Sequence, residues 1–185
     1  MRKSRIWMAT GNENKVREAA EVLAEYGVEL KHLKTERVEV QADDLDEIAA
    51  CSLRWIEGDK PVVVEDAGLF VDHLAGFPGP YSSYVLKRLG NPGILKLMEG
   101  VGERSARYLS AVAYRDEGGV RVFHGTVEGQ IAEAIRGSHG FGYDPIFIPA
   151  EGDGRTFGEM NDKEKNRLSH RARAFRALGR WLAED

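Results

Sequence analysis

The sequence has one cysteine, few prolines and no long apolar segment. Its 185 residues include Cys51 as the single cysteine and six prolines. With one thiol, no disulfide can form within the chain. Cys51 lies in an apolar helical stretch, and we expect it to be a small buried side chain. No segment approaches the ~20 apolar residues of a membrane span, and the first ten residues lack a signal-peptide pattern. We therefore expect a cytoplasmic protein with no membrane contact.

A large excess of basic charge is also missing. The formal net charge is −4, which argues against a protein that binds nucleic acid through a basic surface. The local exception is the segment from Lys163 to Arg180, which carries seven Lys or Arg residues and one Glu. This segment could meet phosphates, or it could be the solvated face of a helix. The length suits one domain with its own core, so we expect a single domain over residues 1–185.

The first third of the chain alternates between strand and helix patterns. The predicted elements are a strand at Arg5–Thr10, a helix that Gly27 ends, a strand over residues 28–33, a helix that begins at Asp43 or Asp44, and a strand at Val62–Val64. This β-α-β-α-β order predicts a sheet with helices on its faces.

The rest of the chain departs from this alternation. Residues 109–115 and 120–124 flank Asp116-Glu117-Gly118-Gly119 and predict a hairpin, and residues 126–131 predict a further strand. The chain ends in helix, with Leu168, Ala172, Phe175, Leu178 and Leu182 on one face. The predicted fold class is α/β, with a mixed central β-sheet flanked by helices.

A polar loop between the first strand and the first helix suits an anion. This anion loop is Thr10-Gly11-Asn12-Glu13-Asn14-Lys15. A helix N-terminus offers free backbone N–H groups and a partial positive charge. Thr10 and Asn12 can donate to phosphate oxygens, and Lys15 adds a full charge. The sequence is not a Walker motif, and taken alone it also fits a helix cap with a surface lysine.

Acidic residues follow two of the predicted strands. Glu65 and Asp66 come directly after Val62–Val64, where ligands of open α/β sheets bind. Adjacent strand residues point to opposite faces, so we expect only one of the pair to face the site. An earlier group comprises Glu36, Glu39, Asp43, Asp44, Asp46 and Glu47. Magnesium takes a few carboxylates plus waters and phosphates, and spacing alone does not choose its second ligand.

Two later segments complete the candidate site. The aromatic loop, Ser138–Pro145, places Phe141 and Tyr143 among glycines, which suits a base-stacking surface or a tight turn with core aromatics. Further on, Ser169 could cap a new helix and so break the C-terminal helix in two. His170 and Arg171 would then stand in a first helical turn, and Arg171 could bind a phosphate or carbonyl at two points.

These segments, in this order, resemble the inosine/xanthosine triphosphate pyrophosphatase family. The matching stretches are Thr10-Gly11-Asn12 with Lys15, Glu65-Asp66 with Gly68-Leu69, Gly76–Gly79 with Tyr81-Ser82, Gly140–Pro145, Phe157 with Glu159-Met160, and Glu164–Asn166 with Ser169-His170-Arg171. The resemblance spans residues 10–171. It implies two lobes with the active-site cleft between them.

The resemblance implies a role for each matching position. The anion loop, Thr10 to Lys15, would hold the triphosphate, with Lys15 also catalytic. Glu39 and Asp66 would bind Mg²⁺, and Asp66 would accept the proton of the attacking water. The remaining positions would line the nucleoside and base pocket: Ala67, Phe141, Gly142, Tyr143, Asp144, Lys165, His170 and Arg171. Two positions depart from the family pattern, since Ala67 stands where a serine is common and Tyr143 where a tryptophan is usual.

The implied reaction is hydrolysis of ITP, dITP and XTP to the monophosphate and pyrophosphate. Donors such as His170 and Arg171 would favour a 6-oxo base over adenine, because unpaired buried polar groups cost about 1–3 kcal/mol. The alternatives are a Maf-like pyrophosphatase of other base preference and a non-catalytic nucleotide-binding sensor. Family resemblance also implies a homodimer, with an interface expected near residues 76–89, and small-molecule nucleotides rather than nucleic acid as partners.

Overall fold

The computed structural model describes residues 5–35 and 40–184. The strands in these ranges are β1 (Arg5–Ala9), β2 (Glu29–Leu33), β3 (Val62–Val71), β4 (Pro78–Gly79), β5 (Ser105–Asp116), β6 (Gly119–Ile131) and β7 (Phe147–Pro149). The helices are α1 (Glu13–Ala24), α2 (Leu45–Arg54), α3 (Ser82–Arg88), α4 (Gly90–Leu97), α5 (Asp162–Leu168) and α6 (His170–Glu184). Short 3₁₀ turns occupy Asp72–Leu74, Asp144–Ile146 and Phe157–Glu159. In the described ranges, no helix is both long enough and apolar enough to cross a bilayer.

The strands form one mixed sheet. Its order is β2-β1-β3-β5-β6-β7, and β4 pairs with β3. β1 runs parallel to β2 and to β3, whereas β4 is antiparallel to β3 and β7 is antiparallel to β6. The two-residue connection between β5 and β6 is the hairpin that the sequence predicts. The predicted fold class, a mixed sheet flanked by helices, is therefore confirmed.

The chain divides into two compact units. Unit 1 comprises residues 1–66, 110–125 and 171–185, and unit 2 comprises residues 67–109 and 126–170. Each unit has its own apolar core. A single domain over residues 1–185 stays a prediction.

The core of unit 1 lies against β1. Alternation along this strand buries Ile6 and Met8, because successive strand residues face opposite sides. Helix α6 contributes Phe175 and Leu178 to the same core, as its apolar face predicts. Gly179 lies under the ring of Tyr26, and a Cβ there would come within 2.5 Å of that ring. The helix therefore keeps a glycine in its interior because nothing larger fits.

The core of unit 2 is aromatic. Tyr108 and Phe147 meet edge to face with ring centroids 4.7 Å apart, and Phe157 packs against both rings. The guanidinium of Arg104 connects separate backbone segments of this unit. Its nitrogens donate to the carbonyl oxygens of Ile131 and Ala132 at 2.7 and 2.8 Å, and to that of Met98 at 2.9 Å. These bonds hold the residue before β5 against the end of β6 and the residue that follows it.

Strands β3 and β6 are longer than the sequence predicts. Strand β3 continues to Val71 rather than ending at Val64, because Leu69 and Val71 enter the unit 2 core. Consequently Glu65 and Asp66 lie inside a strand, not after it. The predicted strands at 120–124 and 126–131 form one strand, β6.

Other local predictions have clear outcomes. Ser169 is extended and separates α5 from α6, which confirms the predicted helix break. Asp44, rather than Asp43, caps α2 by accepting from the backbone of Asp46. Cys51 is half-buried, not buried, because its position on α2 is at the edge of the apolar face. Helices α3 and α4 have no counterpart in the sequence prediction.

Candidate active site

The anion loop folds as a helix cap in unit 1. The side-chain oxygen of Asn12 accepts from the backbone N–H of Asn14 at 3.0 Å and of Lys15 at 3.4 Å. The buried Thr10 hydroxyl accepts from the N–H of Asn12 at 3.1 Å. These two side chains therefore fix the conformation of the loop. The NH₂ group of Asn12 remains the part of its amide that can donate to a phosphate.

Other members of the loop are more exposed. Gly11 and Glu13 are exposed, and Asn14 is half-buried and accepts from Arg17 at 2.9 Å. The carbonyl oxygen of Thr10 lies 2.8 Å from Nε2 of His32 on β2. The loop is thus fixed at its strand end by a neighbouring strand and at its helix end by Asn12.

Lys15 connects this loop to the acidic pair. Its Nζ lies 2.8 Å from a carboxylate oxygen of Glu65, and its side chain is 15% exposed. A lysine at this place could serve a phosphate and the carboxylate together, since an ammonium group has three donors.

Glu65 belongs to a buried charge network. It is fully buried and accepts from the Ser110 hydroxyl at 3.0 Å. The guanidinium of Arg171 lies 3.2 Å from Glu65 and 2.6 Å from the buried Glu18. Burial alone would lower the pKa of Arg171, but the fields of Glu65 and Glu18 outweigh it and raise the pKa above its ordinary value. Arg171 is thus a permanent buried cation between two carboxylates.

Asp66 follows Glu65 on β3 and is half-buried. Alternation along the strand turns it to the face opposite Glu65, as the sequence predicts. Asp44 and Asp46, from the earlier acidic group, have other contacts: Asp44 caps α2, and Asp46 lies 2.7 Å from Nε2 of His124. Glu39, the predicted second metal ligand, lies outside the described residues, as does Glu36.

The side chains present suit a magnesium ion. Over residues 5–35 and 40–184 no three acidic, His or Cys side chains form a metal cage. Magnesium does not need one, because it usually binds one or two carboxylates together with waters and substrate phosphates. Asp66 supplies a hard oxygen donor of this kind. The chemistry of the donor set therefore fits the ion.

The aromatic loop folds tightly in unit 2. Gly140 and Gly142, on either side of Phe141, have φ values of 70° and 71°. A Cβ on Gly140 would lie 2.1 Å from an Asp144 oxygen, so this turn requires glycine. The same Asp144 oxygen accepts from the backbone N–H of Phe141 at 2.7 Å. The loop is thereby closed on itself around the Phe141 ring.

Lys165 supports the Phe141 ring. Its Nζ donates to Asp144 at 2.6 Å, and both side chains are buried. The same ammonium lies 4.6 Å from the centroid of the half-buried Phe141 ring. A cation near an aromatic ring is attracted to its electron-rich face. Asp144, Phe141 and Lys165 therefore form one cluster. In the sequence, only the family resemblance assigns all three to one pocket.

Tyr143 is a buried part of this loop. Its hydroxyl donates to the carbonyl oxygen of Ser82 at 3.0 Å, and burial raises its pKa above the ordinary value. Ionisation is therefore harder in the folded chain than in the unfolded chain. The stabilisation that follows is complete below about pH 10 and is lost as the pH rises further.

We expect an ultraviolet titration to show this directly. Among the six tyrosines, Tyr143 should resist ionisation until the protein unfolds in alkali, because its phenol is buried. Replacing Tyr143 by Phe should reduce that delayed step by one phenol and lower the free energy of unfolding at neutral pH by about 1 kcal/mol, through loss of one hydrogen bond. If the delayed step kept its full amplitude in the Phe variant, other tyrosines would be responsible.

His170 begins α6 and is buried. Its ring stacks on the ring of Tyr108 at 4.3 Å between centroids, with an angle of 6° between the planes. This stacking fixes the ring plane of His170. Ala67, the first residue of unit 2, is half-buried on β3.

The predicted site residues thus fall into two groups. Unit 1 holds the anion loop, Asp66 and Arg171, and unit 2 holds Ala67, the aromatic loop, Lys165 and His170. Sequence reasoning missed several residues that contact them, namely Glu18, Ser82, Asn91, Tyr108 and Ser110. Of these, Glu18 had a signal: it is a carboxylate one turn after Lys15, beside the apolar positions Ala19 and Val22 of α1.

A mixed α/β sheet with a polar loop before a helix N-terminus is typical of α/β proteins that bind phosphate. The profile of the Ham1 family matches residues 6–181. The chain belongs to the Ham1 family.

Relatives and solved structures agree with this assignment. The dITP/XTP pyrophosphatase of Saccharolobus solfataricus is 48% identical over 180 residues, which covers 96% of this chain and 93% of that one. The enzyme of the same name from Hyperthermus butylicus is 50% identical over 181 residues, with coverage of 97% and 95%. The solved HAM1 protein of Coxiella burnetii has a TM-score of 0.85 and 29% identity, covering 98% of this chain and 100% of its own.

Proposed function

We propose that this protein hydrolyses non-standard purine nucleoside triphosphates, namely dITP, ITP and XTP, to the monophosphate and pyrophosphate. The observation that carries the proposal is the ordered charge network of unit 1, in which Lys15 of the anion loop pairs with Glu65 next to Asp66. Relatives about half identical to the chain are named dITP/XTP pyrophosphatases, which supports the same reaction.

The unit 1 side chains have different roles at the phosphates. The anion loop binds phosphate oxygens through backbone N–H groups and the NH₂ group of Asn12. Lys15 stabilises the pyrophosphate as it leaves, while Glu65 holds the lysine in place. A water attacks the α-phosphorus, the bond to the bridging oxygen breaks, and Asp66 accepts the water's proton.

Asp66, with Glu39 as a second ligand, would hold Mg²⁺. When bound, the ion supplies charge neutralisation at the phosphate oxygens. The buried Glu65 serves a different purpose, because Lys15, Arg171 and Ser110 already surround it. Asp66 is therefore the acid that acts on the ligand, whereas Glu65 holds neighbouring protein side chains.

The aromatic loop of unit 2 is the proposed surface for the base. The Phe141 ring stacks on the purine, and the ammonium of Lys165 near the ring strengthens this surface. Donors around the 6-oxo group, His170 and Arg171 among them, favour hypoxanthine and xanthine over adenine. Because an amino group facing donors stays unpaired, the expected discrimination is on the order of 10²–10⁴. Ala67 offers no hydroxyl to the substrate, and the buried Tyr143 supports the aromatic loop from within the unit 2 core.

A panel of nucleotides tests the proposal. Pyrophosphate release is measured from dITP, ITP, XTP, ATP, GTP and CTP, with magnesium and with EDTA. The proposal predicts magnesium-dependent release from the first three at least 100-fold faster than from ATP. Release from pyrimidine nucleotides alone would favour a Maf-like activity, and tight binding without release would favour a sensor; either result contradicts the proposal.

The remaining assignments are a cytoplasmic location and a homodimer. Phe77, Tyr81 and Tyr84, which lie before and on α3, are exposed to 39%, 39% and 62%. Exposed aromatic side chains of this kind are typical of protein interfaces. Sedimentation of the purified chain tests the dimer, and Tyr84→Glu should shift it towards monomer.

A further inference from the structure

The aromatic loop is held by more than its own residues. Asp144 binds the N–H of Phe141, and Ser82 binds the hydroxyl of Tyr143. The carbonyl of Gly142, between these two points, has a third partner: Nδ2 of Asn91 donates to it at 3.1 Å. Asn91 is the second residue of α4 and lies 51 residues away in sequence. Three successive loop residues are therefore held by three separate parts of unit 2.

The bond at Gly142 controls the least constrained point of the loop. Gly142 has a positive φ, and a Cβ there would meet only a Leu86 methyl at 4.0 Å. The glycine is needed for its backbone conformation rather than for space, and glycine peptides reorient easily. Because the Asn91 donor is fixed on a helix and binds this carbonyl, it selects one orientation of the peptide between Gly142 and Tyr143.

The oxygen of the Asn91 amide supports a role for the Asn91–Gly142 hydrogen bond. Its Oδ1 is buried and has no hydrogen-bond partner among the described residues. A buried amide oxygen without a partner costs free energy, which offsets part of what the bond to Gly142 contributes to stability. Donation to Gly142 is the contribution that an apolar side chain could not make.

We propose that Asn91 is a positioning residue for base recognition, which holds the Phe141–Gly142–Tyr143 backbone in the form that receives the purine. The proposal rests on the function proposed above. Asn91 makes no bond to substrate in this scheme. It acts on affinity for the nucleoside part alone, because its contact is with the aromatic loop and not with the anion loop.

Binding measurements on three variants test this proposal. Calorimetry in EDTA measures the affinity of ITP, and pyrophosphate serves as a second probe that lacks the base. For Asn91→Leu we expect an ITP affinity about 3- to 10-fold weaker, the range of one neutral hydrogen bond, with pyrophosphate affinity unchanged and Tm lowered by no more than about 4 °C. Asn91→Asp should weaken ITP at least as much, because an acceptor then faces the Gly142 carbonyl. Lys96→Gln, an exposed change on the same helix, should match the parent.

Other binding results overturn the proposal. Equal ITP affinity in Asn91→Leu and the parent would show that the loop does not need this bond. Equal losses for ITP and pyrophosphate, together with a lower Tm, would show a merely structural role. Hydrolysis is measured separately: a parent that binds ITP but releases no pyrophosphate contradicts the proposed function, while the affinities still decide on Asn91. A parent that binds no ITP contradicts both.

Discussion

Asp66→Asn is expected to lower kcat for dITP by about 10³-fold while leaving the fold intact. The amide is the same size but is a much weaker proton acceptor, and proton transfer by a positioned side chain contributes 10²–10⁴-fold. It is also a poorer ligand for a hard cation. Because Asp66 is half-buried and the amide keeps the size of the side chain, the change should cost little stability.

The matched control is Asp59→Asn, an exposed aspartate in the loop before β3. Steady-state kinetics with dITP, thermal unfolding and magnesium titration are measured on both variants. The control should keep parental kinetics. If Asp66→Asn retained more than about a tenth of the parental kcat at saturating magnesium, Asp66 would be neither base nor necessary ligand.

Arg171→Met should lower the free energy of unfolding by about 3–5 kcal/mol. The substitution keeps an unbranched side chain but removes the cation between Glu18 and Glu65, which leaves two buried carboxylates near each other. An uncompensated buried charge is far costlier than a missing surface charge. Urea unfolding measures the loss, and Arg180→Met, at an exposed position of the same helix, should change stability by less than about 0.5 kcal/mol.

Acid and a second substitution distinguish charge from packing in this variant. Without Arg171, the two carboxylates should bind protons more readily in the folded chain than in the unfolded chain. The deficit should therefore be smaller at about pH 5 than at about pH 8, since the charged forms are the unfavourable ones. Adding Glu18→Gln should recover part of the stability at the higher pH. A pH-independent deficit would mean that lost packing, not charge, is responsible.

The sequence predicts the outline of this fold because the patterns concerned are local. The strand at β1, the helix ended by Gly27, and the β5–β6 hairpin all follow from periodicity and turn residues within short windows. The true length of β3 could not be predicted in this way. Its second half is buried by Ile94, Phe147 and other residues far along the chain, so its burial depends on tertiary packing.

The same distinction applies to the candidate site. The anion loop and the acidic pair are recognisable because strand, loop and helix follow one another directly. The partners of these residues cannot be recognised in the sequence, because they lie far along the chain. Arg171, which contacts Glu65, lies 153 residues from Glu18, its other partner. A basic residue in the C-terminal run predicts a ligand contact or a solvated face, and the structure instead shows a buried ion pair. Its role towards the base remains a prediction.

The division into two units has a consequence for how the protein is made. The chain passes between the units four times, and each passage lies inside β3, β5, β6 or α6 rather than in a loop. The core of unit 1 combines Ile6 of the first strand with Phe175 of the last helix. During synthesis, the core of unit 1 cannot be completed until residues of α6 have left the ribosome. All of unit 2 is therefore synthesised before the last segment of unit 1, and neither unit can be cut out as a fragment at a single site.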